Sequence, residues 1–245
     1  MPALSKNKIP RLVTFSKFFP KNIVAFVSDR TIDFARQGDT LRLTQKQKSF
    51  LSRAVGLSII QLPNIKQIHG KRIIVAKKPS CLGLTRLNKA DGIITNKSGM
   101  PLSVRTADCL SIFLFDKKNN ATGLVHAGWK GTKKNIAPRA VSLMKKHFGT
   151  KPKDLKAAFG PSIQKCCYEV GAEFRRHFPG ALIKKGARLY LDLPLVNKRQ
   201  LIRAGVKARN ISGSGACTCC DRRFFSFRRE GEKAGRMISF MMLKS

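Results

Sequence analysis

The sequence predicts a mixed α and β fold of the α+β class. Three observations lead there. β-prone apolar runs and amphipathic stretches of helical period both recur along the 245 residues. They interleave without a strict strand-helix-strand rhythm, which separates this chain from a doubly wound parallel sheet. No repeat and no low-complexity linker interrupts them, so a single domain is expected over residues 1–245, with residues 1–20 as a basic lead-in.

In chain order, Leu12–Phe15 and Ile23–Val27 read as strands. Thr44 followed by Gln47 forms a capping box, after which Phe50, Leu51, Ala54 and Val55 recur at helical spacing and Gly56 closes the helix. Ile73–Val75 and Gly92–Thr95 are short strands on either side of a connection containing Pro and Gly. Leu110–Phe115 and Thr122–His126 are apolar runs separated by the turn-like Asp116-Lys-Lys-Asn119. Gly128 and Gly131 then favour a tight turn into a helix carrying Ile136, Ala140, Val141, Leu143, Met144 and Phe148, with Pro138 tolerable in its first turn. Amide groups at such a helix start favour anions such as phosphate. Asp192 caps a helix through Leu195, Val196, Leu201 and Ile202 that ends near Gly205, and Met237–Leu243 is a terminal strand.

Composition narrows the function class. An apolar fraction of 42% supports a sizeable core. No apolar run is long enough to span a bilayer, and Met1–Pro10 lacks the apolar region of a secretory signal. Seven cysteines, with Cys166-Cys167 and Cys219-Cys220 adjacent, do not resemble an extracellular disulfide framework, so a reducing, cytoplasmic location is expected. The net charge of +36 attracts polyanions through counterion release. Lys and Arg are nevertheless spread along the chain, and zinc-finger spacing, an RNP motif and a KH-type loop are missing. A solvated basic surface with non-specific nucleic-acid binding is the expectation, and no protein partner is predicted.

The chemistry concentrates in three segments: Gln67-Ile-His69-Gly70, Thr106-Ala-Asp-Cys109 and Val125-His126-Ala-Gly-Trp-Lys-Gly131. Two of the four histidines lie there. Imidazole and thiolate together suit zinc, and three ligands leave its fourth position open for catalysis. With Asp116–Asn119 as the hairpin loop, Phe115 faces Asn120 and Cys109 falls directly opposite His126. Such neighbours share a face and can share a metal or a proton. A loop of odd length would put them on opposite faces. Taken singly, Cys109 also reads as a small buried hydrophobe and His69 as an ordinary satisfied histidine.

His147 and His177 lie in basic segments and read as surface residues. Cys217-Thr-Cys219-Cys220 with Cys166-Cys167 suggests a sulfur-rich site but lacks the paired C-x-x-C spacing, so packing in the core is expected instead. Asp91, Asp108, Glu169 and Asp221 stand out among thirteen acids facing forty-nine bases, and ion pairing is their expected role.

Together these segments resemble the bacterial family once called multicopper polyphenol oxidases and now described as YfiH/LACC1-type purine nucleoside phosphorylases. The matching pieces are Gln67–Gly70, Ala90–Thr95, Arg105–Cys109, Val125–Thr132, Gly160–Gly171, Cys217–Asp221 and Phe224–Phe240, in family order from about Arg30 to the C-terminus. Such a series is specific, although any one piece alone is weak. The chain departs near its start, where Arg30-Thr-Ile-Asp-Phe34 lacks the usual glycine pair and the stretch is shortened. Phe227 stands where a polar ring is common.

The resemblance implies a layered sandwich of mixed β-sheets with flanking helices, related to the catalytic domain of cytotoxic necrotizing factor toxins. It implies Zn2+ held by His69, Cys109 and His126, with Cu2+ as an in vitro substitute. It also implies phosphorolysis of adenosine, inosine, guanosine or methylthioadenosine, with adenosine deamination as a companion activity. Arg30 and Gln67 would contact the substrates, and Cys109, His126 and Asp108 would be catalytic. Asp108 and Asp91 are the nearest proton-donor candidates by motif.

Three other readings compete. A multicopper oxidase needs many more imidazoles than four, so phenol oxidation is left to adventitious copper. Cys109 as nucleophile with His126 as base would make an amidase or deamidase. A basic nucleic-acid-associated protein would bind RNA independently of all three ligands.

Overall fold

The computed structural model describes residues 12–35, 43–57, 61–78 and 88–244. Short β1 (Val13–Thr14) pairs antiparallel with β2 (Ile23–Val27). Between them Phe15 and Phe19, within the expected lead-in, are buried against Phe113 and Phe115 with ring centroids 4.7 and 6.1 Å apart. Helix α1 (Gln45–Val55) begins with the predicted capping box. The Thr44 hydroxyl accepts from Gln47 N, and Gln47 Oε1 accepts from Thr44 N. Gly56 ends it at φ 77°, a left-handed conformation that costs glycine no Cβ clash.

β3 (Ile65–Lys66) and β4 (Ile73–Val75) flank the loop that carries His69. Pro79 and Gly83 of the expected connection between β4 and Gly92–Thr95 lie outside the described residues. β5 (Asn88–Lys89), β6 (Gly92–Thr95), β7 (Leu102–Thr106), β8 (Leu110–Asp116) and β9 (Ala121–Ala127) follow. A single turn, α2 (Trp129–Lys133), then intervenes before α3 (Ile136–Phe148), because Asn135 adopts a left-handed conformation at φ 58°. The amide groups after His126 therefore belong to this one turn and not to the start of the long helix, contrary to the sequence expectation.

β10 (Lys156–Phe159), β11 (Glu169–Val170), α4 (Phe174–His177), β12 (Leu182–Lys185) and β13 (Arg188–Leu191) lead to α5 (Leu193–Arg203), where the Asp192 carboxylate accepts from Leu195 N at 2.9 Å. β14 (Ile211–Gly213), α6 (Phe227–Glu230) and β15 (Met237–Leu243) complete the chain.

Two main sheets result. One is four-stranded in the order β1-β2-β15-β7, and the other six-stranded in the order β14-β10-β8-β9-β6-β4. The larger is mixed, since β10-β14 and β4-β6 are parallel and the other pairs antiparallel. Two smaller sheets have the orders β11-β13-β12 and β3-β5.

The strand period of two sorts side chains into layers. Met237 and Met241 of β15 pack between the sheets with Phe113, Phe115 and Leu124, whereas Ile238, Phe240 and Met242 face the other way against Phe50, Leu51 and Val55 of α1. Leu110, Ile112 and Leu114 of β8 face away from the smaller sheet and pack against Ala140, Val141 and Met144 of α3 and Leu201 of α5. The order is helix, sheet, sheet, helix, which matches the expected layered sandwich. Phe113 is wholly buried between the sheets, and its truncation to alanine should cost about 3–5 kcal/mol. Among the described residues no helix is long and apolar enough to cross a membrane.

Candidate metal centre

His69 adopts φ 53° in the loop between β3 and β4. The strain is offset by Asp91, whose carboxylate accepts from the backbone N–H groups of Ile68 (3.2 Å), His69 (2.9 Å) and Gly70 (2.7 Å). The same carboxylate meets His126 Nδ1 at 2.9 Å, and the Asp91 carbonyl accepts from His126 N. One fully buried acid thus fixes the loop bearing one imidazole and orients the ring of another. With Nδ1 engaged, His126 is left with Nε2 for a further partner.

The β8-β9 hairpin corrects the predicted register. Asp116 pairs with Ala121, so the loop is residues 117–120 and His126 lies opposite Ser111, not Cys109. The shift is two residues. Two preserves the face, so Cys109, just before β8, still shares the inter-sheet side of His126 as a diagonal neighbour. Asp116 stays in the strand because it is buried and its carboxylate accepts from Lys118 N, Asn119 N and Asn119 Nδ2.

One ligand atom from each of His69, Cys109 and His126 lies within 4.8 Å of the others. The two imidazole rings stand 4.8 Å apart, inclined at 75°. Exposure grades from buried His126 through half-buried Cys109 to exposed His69, so the cluster opens to solvent on the His69 side. Gly128 forms part of the floor. A Cβ there would approach Cys109 Sγ to 3.0 Å and His69 Nδ1 to 3.1 Å. At Gly131 it would meet the Gly70 carbonyl at 2.9 Å. Close approach, and not the turn conformation expected from sequence, is what favours glycine here: at Gly131 the neighbour is backbone, whereas at Gly128 the crowded atoms are the side chains of the cluster itself.

Burial alone would push the Cys109 thiol up, but His126 and His69 outweigh it and bring Cys109 down to about 6. Burial likewise opposes charge on His126, yet Cys109 and Asp91 raise it to about 9. Asp91 is held below its ordinary value because His126 and the loop amides outweigh its desolvation. The metal-free cluster is therefore a thiolate beside an imidazolium. That pair can exchange a proton for a cation, and its donor set of one thiolate and two imidazoles suits zinc.

The remaining predicted residues have defined places. Both Asp108 oxygens are engaged: Oδ1 accepts from Thr218 Oγ1 (2.6 Å), and Oδ2 from Ser226 Oγ (3.0 Å) and Arg228 N (2.6 Å). The Gln67 amide accepts from Arg105 N at 2.7 Å and donates to Arg105 O at 2.8 Å, pinning the His69 loop to β7. The exposed Arg30 side chain reaches Glu230 at 3.0 Å and lies over the Phe225 ring. His147 is exposed, and His177 meets Lys133 Nζ at 3.0 Å, so neither joins the cluster. A separate cleft of about 600 Å³, bordered by Lys133, His177, Arg199 and Arg203, contains none of the three ligands. The ion-pairing role expected for Asp91 is met by His126 at 2.9 Å; its hold on the backbone amides of Ile68, His69 and Gly70 was not foreseen.

Residues 31–244 match the family described as multi-copper polyphenol oxidoreductase laccase. The chain belongs to that family. Within this laccase-domain family it is 35% identical over 162 residues to a purine nucleoside phosphorylase of Clostridium acetobutylicum, covering 64% of this chain and 69% of that one. It is 32% identical over 216 residues to adenosine deaminase RL5 from an unknown prokaryotic organism, covering 82% of each. The fold matches the crystal structure of Bacillus licheniformis YfiH with a TM-score of 0.82 and 26% identity, covering 96% of this chain and 97% of that one. The relatives named for an activity are thus enzymes of purine metabolism, although the family name refers to copper oxidation.

Proposed function

We propose that this protein is a zinc-dependent purine nucleoside phosphorylase acting on adenosine, inosine, guanosine or methylthioadenosine, with adenosine deaminase activity. We place it in the cytoplasm. The observation that carries the reading is the convergence of His69, Cys109 and His126 on one solvent-facing point, with Asp91 behind two of them. Zinc held there would supply Lewis acidity where negative charge develops in the substrate.

The protein's own residues do the rest. Cys109 supplies the thiolate, and Asp91 keeps His126 oriented with Nε2 forward. Arg30 is retained as a phosphate contact, since it is exposed and an entering phosphate can share it with Glu230. The net charge of +36 raises the local concentration of phosphate. Asp108 fits a positioning role better than the expected proton-donor role, because three donors hold its carboxylate away from substrate. Gln67 likewise fits loop positioning better than substrate contact.

The test is product analysis of zinc-loaded protein with each nucleoside, with and without phosphate. Phosphate-dependent release of free purine is expected, with ribose 1-phosphate from adenosine, inosine and guanosine and 5-methylthioribose 1-phosphate from methylthioadenosine, alongside phosphate-independent conversion of adenosine to inosine. Absence of both sinks the reading. The thiolate–imidazolium pair favours one second reading, a Cys109 nucleophile with His126 as its base. Full hydrolytic activity of metal-free protein on an amide panel would establish that reading instead.

A further inference from the structure

The second cysteine group does not pack in the core as the sequence suggested. Cys166 and Cys220 are exposed, Cys167 is partly exposed and Cys217 is buried. The Cys217 and Cys220 pair is itself a C-x-x-C unit, masked in the sequence by Cys219 between its members. One sulfur from each of Cys166, Cys167, Cys217 and Cys220 lies within 4.8 Å of the others. The separations Cys166–Cys220 and Cys167–Cys220 are 3.5 and 3.2 Å. A tetrahedral ion bonded to four thiolates at about 2.3 Å sets sulfur–sulfur separations of roughly 3.8 Å, so small side-chain adjustments suffice.

The backbone delivers these sulfurs together. Parallel strands β10 and β14 end side by side, and their pairing continues through the Ser162–Cys217 bridge. Ser162 N donates to Ala216 O and Thr218 N to Ser162 O, so the two loops leave in register. Turns then bring round the remaining cysteines, with Cys167 N donating to Gln164 O and Asp221 N to Cys217 O. The negative charge of four thiolates on a divalent ion has neighbours to offset it. The Arg228 guanidinium donates to Glu169 O, and Arg229 donates to Thr218 O and Cys219 O.

We propose that Cys166, Cys167, Cys217 and Cys220 form a second metal site, a closed tetrathiolate centre for a soft divalent cation such as zinc. Four protein ligands leave no open position, so its role is bracing and not catalysis. What it braces is the wall of the first site. Thr218, between two of the ligands, donates to Asp108 Oδ1, Ile163 N donates to Asp108 O, and Asp108 precedes Cys109.

The experiment is zinc stoichiometry by elemental mass spectrometry on wild-type protein purified under reductant and on a Cys166→Ser/Cys220→Ser double variant. Both substituted positions are exposed, which favours retention of the fold. The variant should hold one zinc fewer per chain than wild type. This difference does not depend on whether His69, Cys109 and His126 bind zinc. In wild type, zinc should also slow alkylation of Cys166 and Cys220, mapped by peptide, by at least about tenfold relative to chelated protein. Equal zinc in both proteins together with zinc-independent alkylation overturns the site. So does a Cys167–Cys220 disulfide in the reductant-purified wild type.

Discussion

The Asp91 carboxylate lies 2.9 Å from His126 Nδ1 while it accepts the backbone N–H of His69 at 2.9 Å. A single acid, in a chain with thirteen of them, therefore couples two histidines of the candidate metal centre from separate elements. Replacing Asp91 with Asn keeps the size but removes the charge. Chelator competition should show zinc affinity lowered about 10–100-fold. Unchanged affinity would remove Asp91 from the site's support.

Gly128→Ala separates folding from site access. The backbone there, at φ −73°, suits any L-residue, so thermal unfolding should move little. The added methyl would crowd Cys109 Sγ and His69 Nδ1, and turnover should fall by about 100-fold. Full activity of this variant would show that the floor is further from the reacting groups than its geometry indicates.

Charge on the metal-free cluster predicts a pH profile of reactivity. Cys109 is lowered to about 6 despite burial, through His126 and His69, so its thiolate persists at neutral pH and is lost as pH falls through about 6. Iodoacetamide labelling of Cys109 in chelated protein should follow that profile. In stability the two shifts oppose each other. The raised His126 contributes below its unfolded value and loses that contribution as pH rises through about 9. Cys109 contributes above its unfolded value and loses that contribution as pH falls through about 6. Between about 6.5 and 9 the folded pair gains one proton and gives up one, so stability from it should stay flat. Labelling that rises only above the ordinary thiol range would refute the pairing.

Asp108→Asn tests positioning against proton donation. Asp108 stands at φ 84°, a left-handed conformation that Asn also tolerates. Loss of hydrogen bonds to Thr218, Ser226 or Arg228 should cost about 1–3 kcal/mol of stability, measured by denaturant unfolding. The shape of the pH–rate profile should be retained. Disappearance of one limb of that profile at unchanged stability would instead make Asp108 the proton donor.

Strands buried on both faces and helices with strong caps were legible in the sequence. Ile23–Val27, Ile73–Val75, Gly92–Thr95 and Met237–Leu243 agree with the structure at both ends, because apolar runs bounded by turn residues leave little choice of boundary. Thr44 and Asp192 cap as their side-chain chemistry requires. The hairpin register was misplaced by two because Asp116 reads as a turn residue, while burial and its own turn-directed hydrogen bonds keep it in the strand. Two-residue strands such as Ile65–Lys66 carry too little pattern to be seen. Among the candidate site residues, His69, Cys109 and His126 stand out by residue type and the fold brings them together, but Asp91's grip on the His69 loop and the gathering of four cysteines depend on contacts between distant segments. Local spacing does not encode these.

The most direct test is zinc content and phosphorolysis measured together on wild type and Cys109→Ala. The substitution should remove one zinc per chain and abolish phosphate-dependent release of purine, while the fold persists by circular dichroism. Cys109→Ala that keeps wild-type zinc, or metal-free wild type that cleaves nucleosides at full rate, would contradict a catalytic ion held by His69, Cys109 and His126.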